Sequence, residues 1–241
     1  MRIDLPEKFP HESNREYIFR ALKANIINLN LPPGSALSEQ EIADLLNVSR
    51  TPVREAFIKL AQETLLDIVP QKGTYISLID PDQVEESKFL RETVEKEVIK
   101  LACRSFSKED LLKLKSNLSM QELCVQEKNY LRLFAYDEVM HGIIFAACRK
   151  SRIWSMIQQM NTHYNRVRMM NLALGYDWER IIEQHKLIID SIERQDPLSG
   201  ERAIDIHLNK LVFDLKYLQQ EFSHYFKPLK QPSVSLRSSA E

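Results

Sequence analysis

The segment from residue 82 to residue 196 contains no proline, and its only glycines are Gly142 and Gly175. Glycine and proline interrupt helices most strongly, so their scarcity over this length favours continuous helix. Apolar residues recur through the segment at intervals of three and four, which is the spacing of one helix face. The segment therefore predicts an all-helical domain without strands.

The start and the end of this helical domain can also be predicted. Asp80 can cap a helix, and Pro81 fits the first turn, where the missing N–H costs nothing. We expect helices near residues 81–104, 108–127, 129–148, 151–173, 177–194 and 197–225. They would form an antiparallel bundle of six to seven helices over residues 81–227, and the serine- and proline-containing residues 228–241 would be a disordered tail.

Two short helices joined by a turn are predicted between residues 38 and 57. Ser38 is a suitable N-cap for the first helix and Ser49 for the second, whose first turn accommodates Pro52. The apolar residues of the second helix share one side, which leaves polar residues facing outwards at its N-terminal end: Arg50, Thr51 and Arg54. Arginine in this position can bond guanine bidentately in the major groove, so the segment predicts a helix-turn-helix recognition helix.

The flanking sequence completes this unit. An amphipathic helix is predicted at residues 15–29, and two strands are predicted at 65–69 and 74–78 with a turn between them. Three helices followed by a hairpin is the order of a winged helix-turn-helix, which predicts a DNA-binding domain over residues 1–80. The alternative is an ordinary helical hairpin with a solvated charged face, because short motifs of this kind also occur by chance.

Three ordered stretches of this domain carry a family resemblance. They are Leu-Pro-Pro-Gly-Ser-Ala-Leu-Ser-Glu at 31–39, Val-Ser-Arg-Thr-Pro-Val-Arg-Glu-Ala at 48–56 and Pro-Gln-Lys-Gly-Thr-Tyr-Ile at 70–76. In these stretches the chain resembles the DNA-binding domain of the GntR family of bacterial transcription regulators. The resemblance implies base contacts from two arginines of the second helix, a phosphate or base contact beside them, and a wing tip in the minor groove. The implied DNA-binding residues are Gln40, Ser49, Arg50, Thr51, Arg54, Lys72 and Gly73.

Gln40 is a departure from that family, because many relatives carry arginine at this position. We therefore expect a DNA preference that differs from theirs. The charge of the domain is also unusual, since residues 1–80 contain nine Lys or Arg and eleven Asp or Glu, which gives −2 by count. Nonspecific DNA affinity comes mainly from neutralised phosphates, so a domain without basic excess is expected to read a specific site. We expect a dimer that applies two copies to a palindromic operator in double-stranded DNA.

Four polar residues interrupt apolar stripes of the helical domain. Asp137 and His141 lie one turn apart within a stripe, His185 interrupts a second stripe, and His207 interrupts a third. Buried carboxylates and imidazoles need partners, and one divalent metal ion would satisfy all four groups. Aspartate with three histidines suits Zn²⁺, and Ni²⁺ or Mn²⁺ is also compatible with these ligands. The alternatives are a hydrogen-bonded network of these side chains without metal, or histidines that simply pack in the core.

Residues 81–225 also resemble the FCD effector-binding domain of the FadR subfamily. Its metal-binding members carry an aspartate, a histidine four residues later and two further histidines, which match Asp137, His141, His185 and His207. The resemblance implies a small carboxylate effector beside the metal, a second charge contact from Arg91, and dimerisation through this domain. The alternative for Arg91 is a surface salt bridge with Glu95. Two further arginines could reach the pocket: Arg166 and Arg168.

The remaining composition constrains the location of the protein. No apolar run approaches the roughly 20 residues that span a bilayer, and the N-terminal residues lack the apolar core of a signal peptide. Cys103, Cys124 and Cys148 show no paired spacing, so a reducing cytoplasm fits and a disulfide framework does not. His163 has no companion on any aligned stripe, so the sequence gives it no role.

The sequence thus predicts a cytoplasmic, ligand-responsive transcription regulator, and a repressor in particular. An effector that binds one dimer geometry better would change operator affinity by linkage. A rival hypothesis is a metalloenzyme in which the Asp and three-His site activates water. In a third hypothesis the metal itself is the signal.

Overall fold

The computed structural model of the chain describes residues 3–175 and 178–228, except for the side chains of residues 210–214. It is mainly helical, with one two-stranded antiparallel hairpin near the N-terminus, so the predicted fold class is confirmed. The predicted tail at 228–241 lies outside the described residues except for Pro228, which has no regular secondary structure.

The N-terminal unit consists of three helices and the hairpin. The helices are α1 (Asn14–Ile27), α2 (Glu39–Leu46) and α3 (Arg50–Gln62), and the strands are β1 (Leu66–Val69) and β2 (Gly73–Ile76). Ser13 and Glu16 form a capping box at the start of α1, and the Ser38 hydroxyl accepts from the Glu41 N–H at the start of α2. The helices and both strands share one hydrophobic core. The largest fully buried residues of this core include Ile18, Phe57 and Leu60.

The hairpin pairs Leu66 with Ile76 and Val69 with Gly73. Its turn needs left-handed backbone at two positions, because Gln71 has a φ of 61° and Gly73 a φ of 126°. Glycine adopts the second conformation without strain. Tyr75 also forms a bridge with Ala36, which ties the wing to the segment before α2.

The helices that follow the hairpin begin at Pro81. They are α4 (Pro81–Arg104), α5 (Lys108–Gln126), α6 (Tyr130–Ala147), α7 (Ser151–Met160), α8 (Thr162–Ala173), α9 (Trp178–Glu193) and α10 (Pro197–Glu221). A short 3-10 helix follows at Ser223–Tyr225, where the sequence predicted that the last helix would continue. Among the described helices, none is long and apolar enough to cross a membrane.

The predicted single helix at 151–173 is wrong. Asn161 ends α7 and precedes α8, and its fully buried side-chain amide has no hydrogen-bond partner among the described residues. The sequence carries no proline or glycine at this point, and α8 is buried around almost its whole circumference. A helix of that kind has no polar face whose phase could reveal the break.

Candidate metal centre and DNA-binding surface

The four predicted ligand residues lie together inside the helical domain. Asp137 and His141 come from α6, His185 from α9 and His207 from α10. Each offers one ligand atom, and these atoms all lie within 4.8 Å of one another. The first three side chains are buried and His207 is partly buried. The long sequence separations show that the packing of three helices assembles this cluster.

All three histidines are oriented in the same way, with Nδ1 against an oxygen. His141 Nδ1 lies 2.7 Å from Glu95 Oε2, His185 Nδ1 lies 2.6 Å from Gln121 Oε1, and His207 Nδ1 lies 3.2 Å from Gln184 Oε1. Metal-binding histidines typically have the second ring nitrogen held in this manner, which fixes the ring and the tautomer.

The Nε2 atoms of two of these rings are buried without a hydrogen-bond partner among the described residues: those of His141 and His185. His185 Nε2 lies 3.2 Å from Asp137 Oδ1, and His141 Nε2 lies 3.8 Å from Asp137 Oδ2. An unsatisfied buried nitrogen costs about 1–3 kcal/mol, so two of them beside one carboxylate require an explanation. A divalent cation bound by these atoms supplies one, and the residues present fit it.

The protonation states also suit a cation. Burial lowers the pKa of His185, and burial together with the neighbouring imidazoles lowers the pKa of His207 well below its usual value. Burial would raise the pKa of Asp137, but the Arg168 guanidinium, which donates to Asp137 Oδ2, and the adjacent His185 and His141 rings together outweigh burial and hold the pKa well below its usual range. Neutral imidazoles and an ionised carboxylate are the forms that bind metal.

Arg91 lies at the edge of this cluster and is fully buried. Its Nε donates to Glu95 Oε1 at 2.6 Å, so the predicted pairing with Glu95 exists but is buried and not on the surface. Its Nη1 and Nη2 have no hydrogen-bond partner among the described residues. The guanidinium lies 5.3 Å from the Tyr164 ring centroid and 5.8 Å from that of Trp154. The Arg91 guanidinium therefore has N–H donors that bond to no described residue, and two aromatic rings lie beside it.

Arg166 and Arg168 face opposite ways from α8. Arg168 reaches the cluster, where it binds Asp137 and Glu138. Arg166 instead donates from Nη1 to the Ser77 carbonyl at 2.7 Å and from Nη2 to the Ser77 hydroxyl at 3.1 Å. The first arginine belongs to the cluster, and the second binds the segment that connects the hairpin to α4.

His163 lies beside Arg166 and has hydrogen-bond partners that no aligned helix stripe could reveal. Its Nδ1 accepts from the Asp80 N–H at 3.0 Å and from Arg166 Nη2 at 2.7 Å, while Nε2 lies 3.0 Å from Thr64 Oγ1. Two donors at Nδ1 place the proton on Nε2, which donates to Thr64. We call Thr64, Ser77, Asp80, His163 and Arg166 the interdomain joint.

Burial, reinforced by the adjacent Arg166, lowers the pKa of His163 to about 3. Burial also lowers the pKa of Arg166 to about 9. The joint therefore holds a neutral imidazole beside the Arg166 guanidinium, whose acceptors are that imidazole's Nδ1 and the backbone and hydroxyl oxygens of the linker.

The predicted DNA-binding residues are exposed on the N-terminal unit. Arg50, Thr51 and Arg54 are exposed along the first turns of α3, and the Ser49 hydroxyl makes no capping hydrogen bond. Gln40, Arg50, Lys72 and Gly73 line one cleft between the helices and the wing. The structure thus brings four of the seven predicted residues to one cleft, while Ser49, Thr51 and Arg54 are exposed at the start of α3 and do not line it.

Two carboxylates modify this surface. Glu39 Oε2 accepts from Arg50 Nη2 at 3.1 Å, and Asp44 Oδ1 accepts from Gln40 Nε2 at 2.8 Å. Sequence reasoning missed Glu39, because the contact joins two helices at a separation of eleven residues. It missed Gln121 for the same reason. Gln184 precedes His185 directly, but such adjacency does not identify a contact with His207.

The exposed recognition helix and the adjacent wing define a helix-turn-helix transcription regulator that binds DNA. Comparison with known sequences agrees, since residues 14–76 match the model of bacterial regulatory proteins of the gntR family, and residues 88–210 match the FCD domain. The chain belongs to the GntR family.

Curated relatives match this chain over most of their length. The chain is 31% identical over 217 residues to the HTH-type transcriptional repressor RspR of Escherichia coli K12, covering 90% of this chain and 95% of that protein. It is 30% identical over 217 residues to a Streptomyces ambofaciens regulator, covering 89% and 90%. Among solved structures, E. coli McbR/YncC shares the fold with a TM-score of 0.74 at 19% identity, covering 88% of this chain and 99% of that one.

Proposed function

We propose that this regulator is a repressor whose operator affinity is controlled by a small carboxylate effector bound beside a divalent metal. The observation that carries the proposal is the convergence of two unsatisfied histidine nitrogens and an ionised aspartate beside a buried arginine with unused donors. Zn²⁺ suits the proposed ligands Asp137, His141, His185 and His207 best, and Ni²⁺ or Mn²⁺ can also bind them. The proposed domain boundary lies between residues 80 and 81.

Counting charges supports an anionic effector. The cluster and its immediate partners contain three carboxylates (Glu95, Asp137 and Glu138) and two guanidiniums (Arg91 and Arg168), which sum to −1 with neutral histidines. A divalent cation changes this sum to +1. A buried net positive charge is costly, and a bound carboxylate neutralises it. The Nη1 and Nη2 groups of Arg91 offer two parallel donors of the kind that carboxylates bind.

Helix α8 connects the two functions. It carries Arg168 to the proposed metal centre and His163 with Arg166 to the interdomain joint. Twelve residues of helix thus contact both the effector region and the connection to the DNA-binding unit. An effector that favours one position of α8 would change how the recognition helix is presented, which is allosteric linkage.

Two further parts of the proposal concern the oligomeric state and whether the protein represses or activates transcription. The N-terminal unit has a net charge of −2, so one copy supplies few cations to DNA. This favours a homodimer that applies two copies to a palindromic operator. Repression is favoured because the relative RspR is named a repressor. The metalloenzyme alternative gains no support, since the relatives described above are transcription regulators.

The test is operator binding by zinc-loaded protein, measured by fluorescence anisotropy with the native upstream DNA. A panel of small hydroxycarboxylates and dicarboxylates is added, with and without a chelator. We expect at least one carboxylate to weaken DNA binding in the presence of zinc only. If no carboxylate changes DNA binding or thermal stability, the effector part of the proposal is wrong.

Arg91→Gln is the matched variant for the same assay. It removes the charge-assisted bonds, so the concentration of carboxylate needed for half of the response should rise about 10- to 100-fold. Arg149→Gln, at an exposed position after α6, is the control and should respond as the wild type does. An unchanged response in Arg91→Gln would remove Arg91 from the effector site.

A further inference from the structure

A chain of hydrogen bonds runs from the backbone of α6 to one of the proposed metal ligands. Asn117 Nδ2 donates to the Tyr136 carbonyl at 3.1 Å, and Gln121 Nε2 donates to Asn117 Oδ1 at 2.7 Å. Gln121 Oε1 then lies 2.6 Å from His185 Nδ1. We call Asn117 and Gln121 the amide relay. Both side chains are buried in α5, and Gln121 is fully enclosed.

The donor-to-acceptor direction of these hydrogen bonds is determined at the Tyr136 end. A backbone carbonyl has no proton, so Asn117 must turn its NH₂ group towards Tyr136 and its oxygen towards Gln121. Gln121 must then donate to Asn117 and present its own oxygen to His185. That oxygen can only accept, so His185 Nδ1 carries the proton and Nε2 carries the lone pair. The opposite orientation would place two oxygens against each other in a buried site, which is costly.

The other two histidines are held differently. A carboxylate, Glu95, faces His141 Nδ1 and needs no further support because it has no proton to donate. Gln184 faces His207 Nδ1, but its Nε2 has no hydrogen-bond partner among the described residues. Among the described residues that hold the three rings, the amide relay alone uses two side chains and a backbone carbonyl. Tyr136, whose carbonyl accepts from the relay, directly precedes the proposed ligand Asp137.

We infer that Asn117 and Gln121 are positioning residues, which fix the tautomer of His185 so that its Nε2 is available to the metal. This inference rests on the proposed metal centre. A merely structural role for the two amides would stabilise α5 against α6 and α9 without controlling where the His185 proton resides. The two roles therefore differ in the tautomer of the metal-free protein and in metal affinity.

The experiment compares the wild type with Asn117→Ala. Without Asn117, Gln121 can rotate and present NH₂ to His185, which moves the proton to Nε2. Nitrogen-15 NMR of the metal-free, full-length protein should then show His185 changing from the Nδ1–H to the Nε2–H tautomer. Zinc affinity, measured by competition with a chromophoric chelator, should fall about 10- to 100-fold.

Two further variants complete the design. Ser116→Ala changes the exposed neighbouring residue on α5 and should behave as the wild type. Adding Gln121→Glu to Asn117→Ala supplies a carboxylate that accepts from Nδ1–H in either orientation, so it should restore the tautomer and the zinc affinity. If Asn117→Ala does not fold, Gln121→Met removes the acceptor at similar volume and should give the same two losses.

The outcomes separate this inference from the proposed function. An unchanged His185 tautomer and zinc affinity in Asn117→Ala would overturn the inference, as would a lower zinc affinity that Gln121→Glu does not restore. A wild type that binds no metal would refute the proposed metal centre. The tautomer shift in metal-free protein would still decide the role of the relay.

Discussion

The Arg50 guanidinium can bond to Glu39 within the protein or to a base in DNA. In the free protein it bonds to Glu39 at 3.1 Å across the helix-turn-helix, although its side chain remains mostly exposed. An exposed pair of this kind contributes little stability. Its main effect is to restrict where the arginine can point, and the carboxylate also repels phosphate. Both effects favour a bidentate base contact over a nonspecific backbone contact.

This contact leads to a paired prediction. Arg50→Ala should weaken operator binding by about 1–3 kcal/mol, roughly 5- to 160-fold, and reduce discrimination at one base pair. Glu39→Gln should instead increase binding to scrambled DNA, because an unrestrained cation can neutralise phosphate. The ratio of operator to scrambled affinity, measured by anisotropy at one salt concentration, separates the two effects.

Lys113→Ala, on the exposed side of α5, is the control and should leave both affinities unchanged. If Glu39→Gln raised or kept the operator preference, Glu39 would not restrain Arg50. If Arg50→Ala bound operator as the wild type does, the predicted base contact of Arg50 would be wrong.

The structure also shows which residues could be predicted from sequence. Asp137 and His141 were recognisable because a spacing of four places them on one helix face. Asp80 and Pro81 were recognisable because capping is local. Glu39, Asn117 and Gln121 were not, since each makes its contact with another helix. On α5 the two amides interrupt the buried face like any other polar residue, and only the packing of α6 and α9 gives them partners.

At the scale of elements, α8 is the least predictable helix and the most connected. Thr162–Leu172 contains a nearly continuous run of buried residues, so periodicity could not separate α8 from the amphipathic α7. Short helices buried on all sides are positioned by tertiary contacts and not by their own pattern. His163 escaped notice for a related reason, because two of its partners lie outside the helices, Thr64 just after α3 and Asp80 in the linker that joins the hairpin to α4.

His163 makes the stability of the protein depend on pH. Its pKa is lowered from 6.5 to about 3 in the folded state, so between these values the unfolded state binds more protons. Stability from the buried neutral ring is therefore complete above the unfolded pKa and is lost as pH falls towards 3. The slope is at most about 1.4 kcal/mol per pH unit.

His163→Gln should reduce this dependence, since glutamine does not titrate but can still donate and accept in the joint. The measurement is urea unfolding of metal-free protein at pH 7 and pH 5. The free energy of unfolding should fall less in His163→Gln than in the wild type, by about 1 kcal/mol per pH unit. His224→Gln, at an exposed position, is the control. Equal slopes in the wild type and His163→Gln would contradict the buried neutral state.

At the scale of the whole molecule, we expect the interdomain joint to determine whether the two units respond together. Arg166 supplies most of its hydrogen bonds to the linker, and its side chain is fully buried. Arg166→Met retains a long side chain but removes these bonds. We expect zinc affinity and carboxylate affinity to change less than about twofold, because α8 keeps its contacts with the cluster, while the effect of carboxylate on operator binding becomes smaller.

Parallel titrations test that expectation. Carboxylate binding is followed by calorimetry, and operator binding by anisotropy with and without saturating carboxylate. Arg152→Met on the exposed side of α7 is the control. A full operator response in Arg166→Met would show that coupling does not pass through the joint.

The linker is also held from a distant part of the chain. Ile79 forms a parallel bridge with Phe226, and Lys227 Nζ lies 3.2 Å from Asp80 Oδ2. The ribosome makes the winged helix-turn-helix long before it makes these residues, so the reading unit can fold before its restraint exists. A prematurely terminated product ending before Ser223 would keep the recognition helix and lose this attachment. Since the Arg166 bonds to the linker would remain, we expect such a fragment to bind operators and to respond to the effector more weakly than the complete chain does.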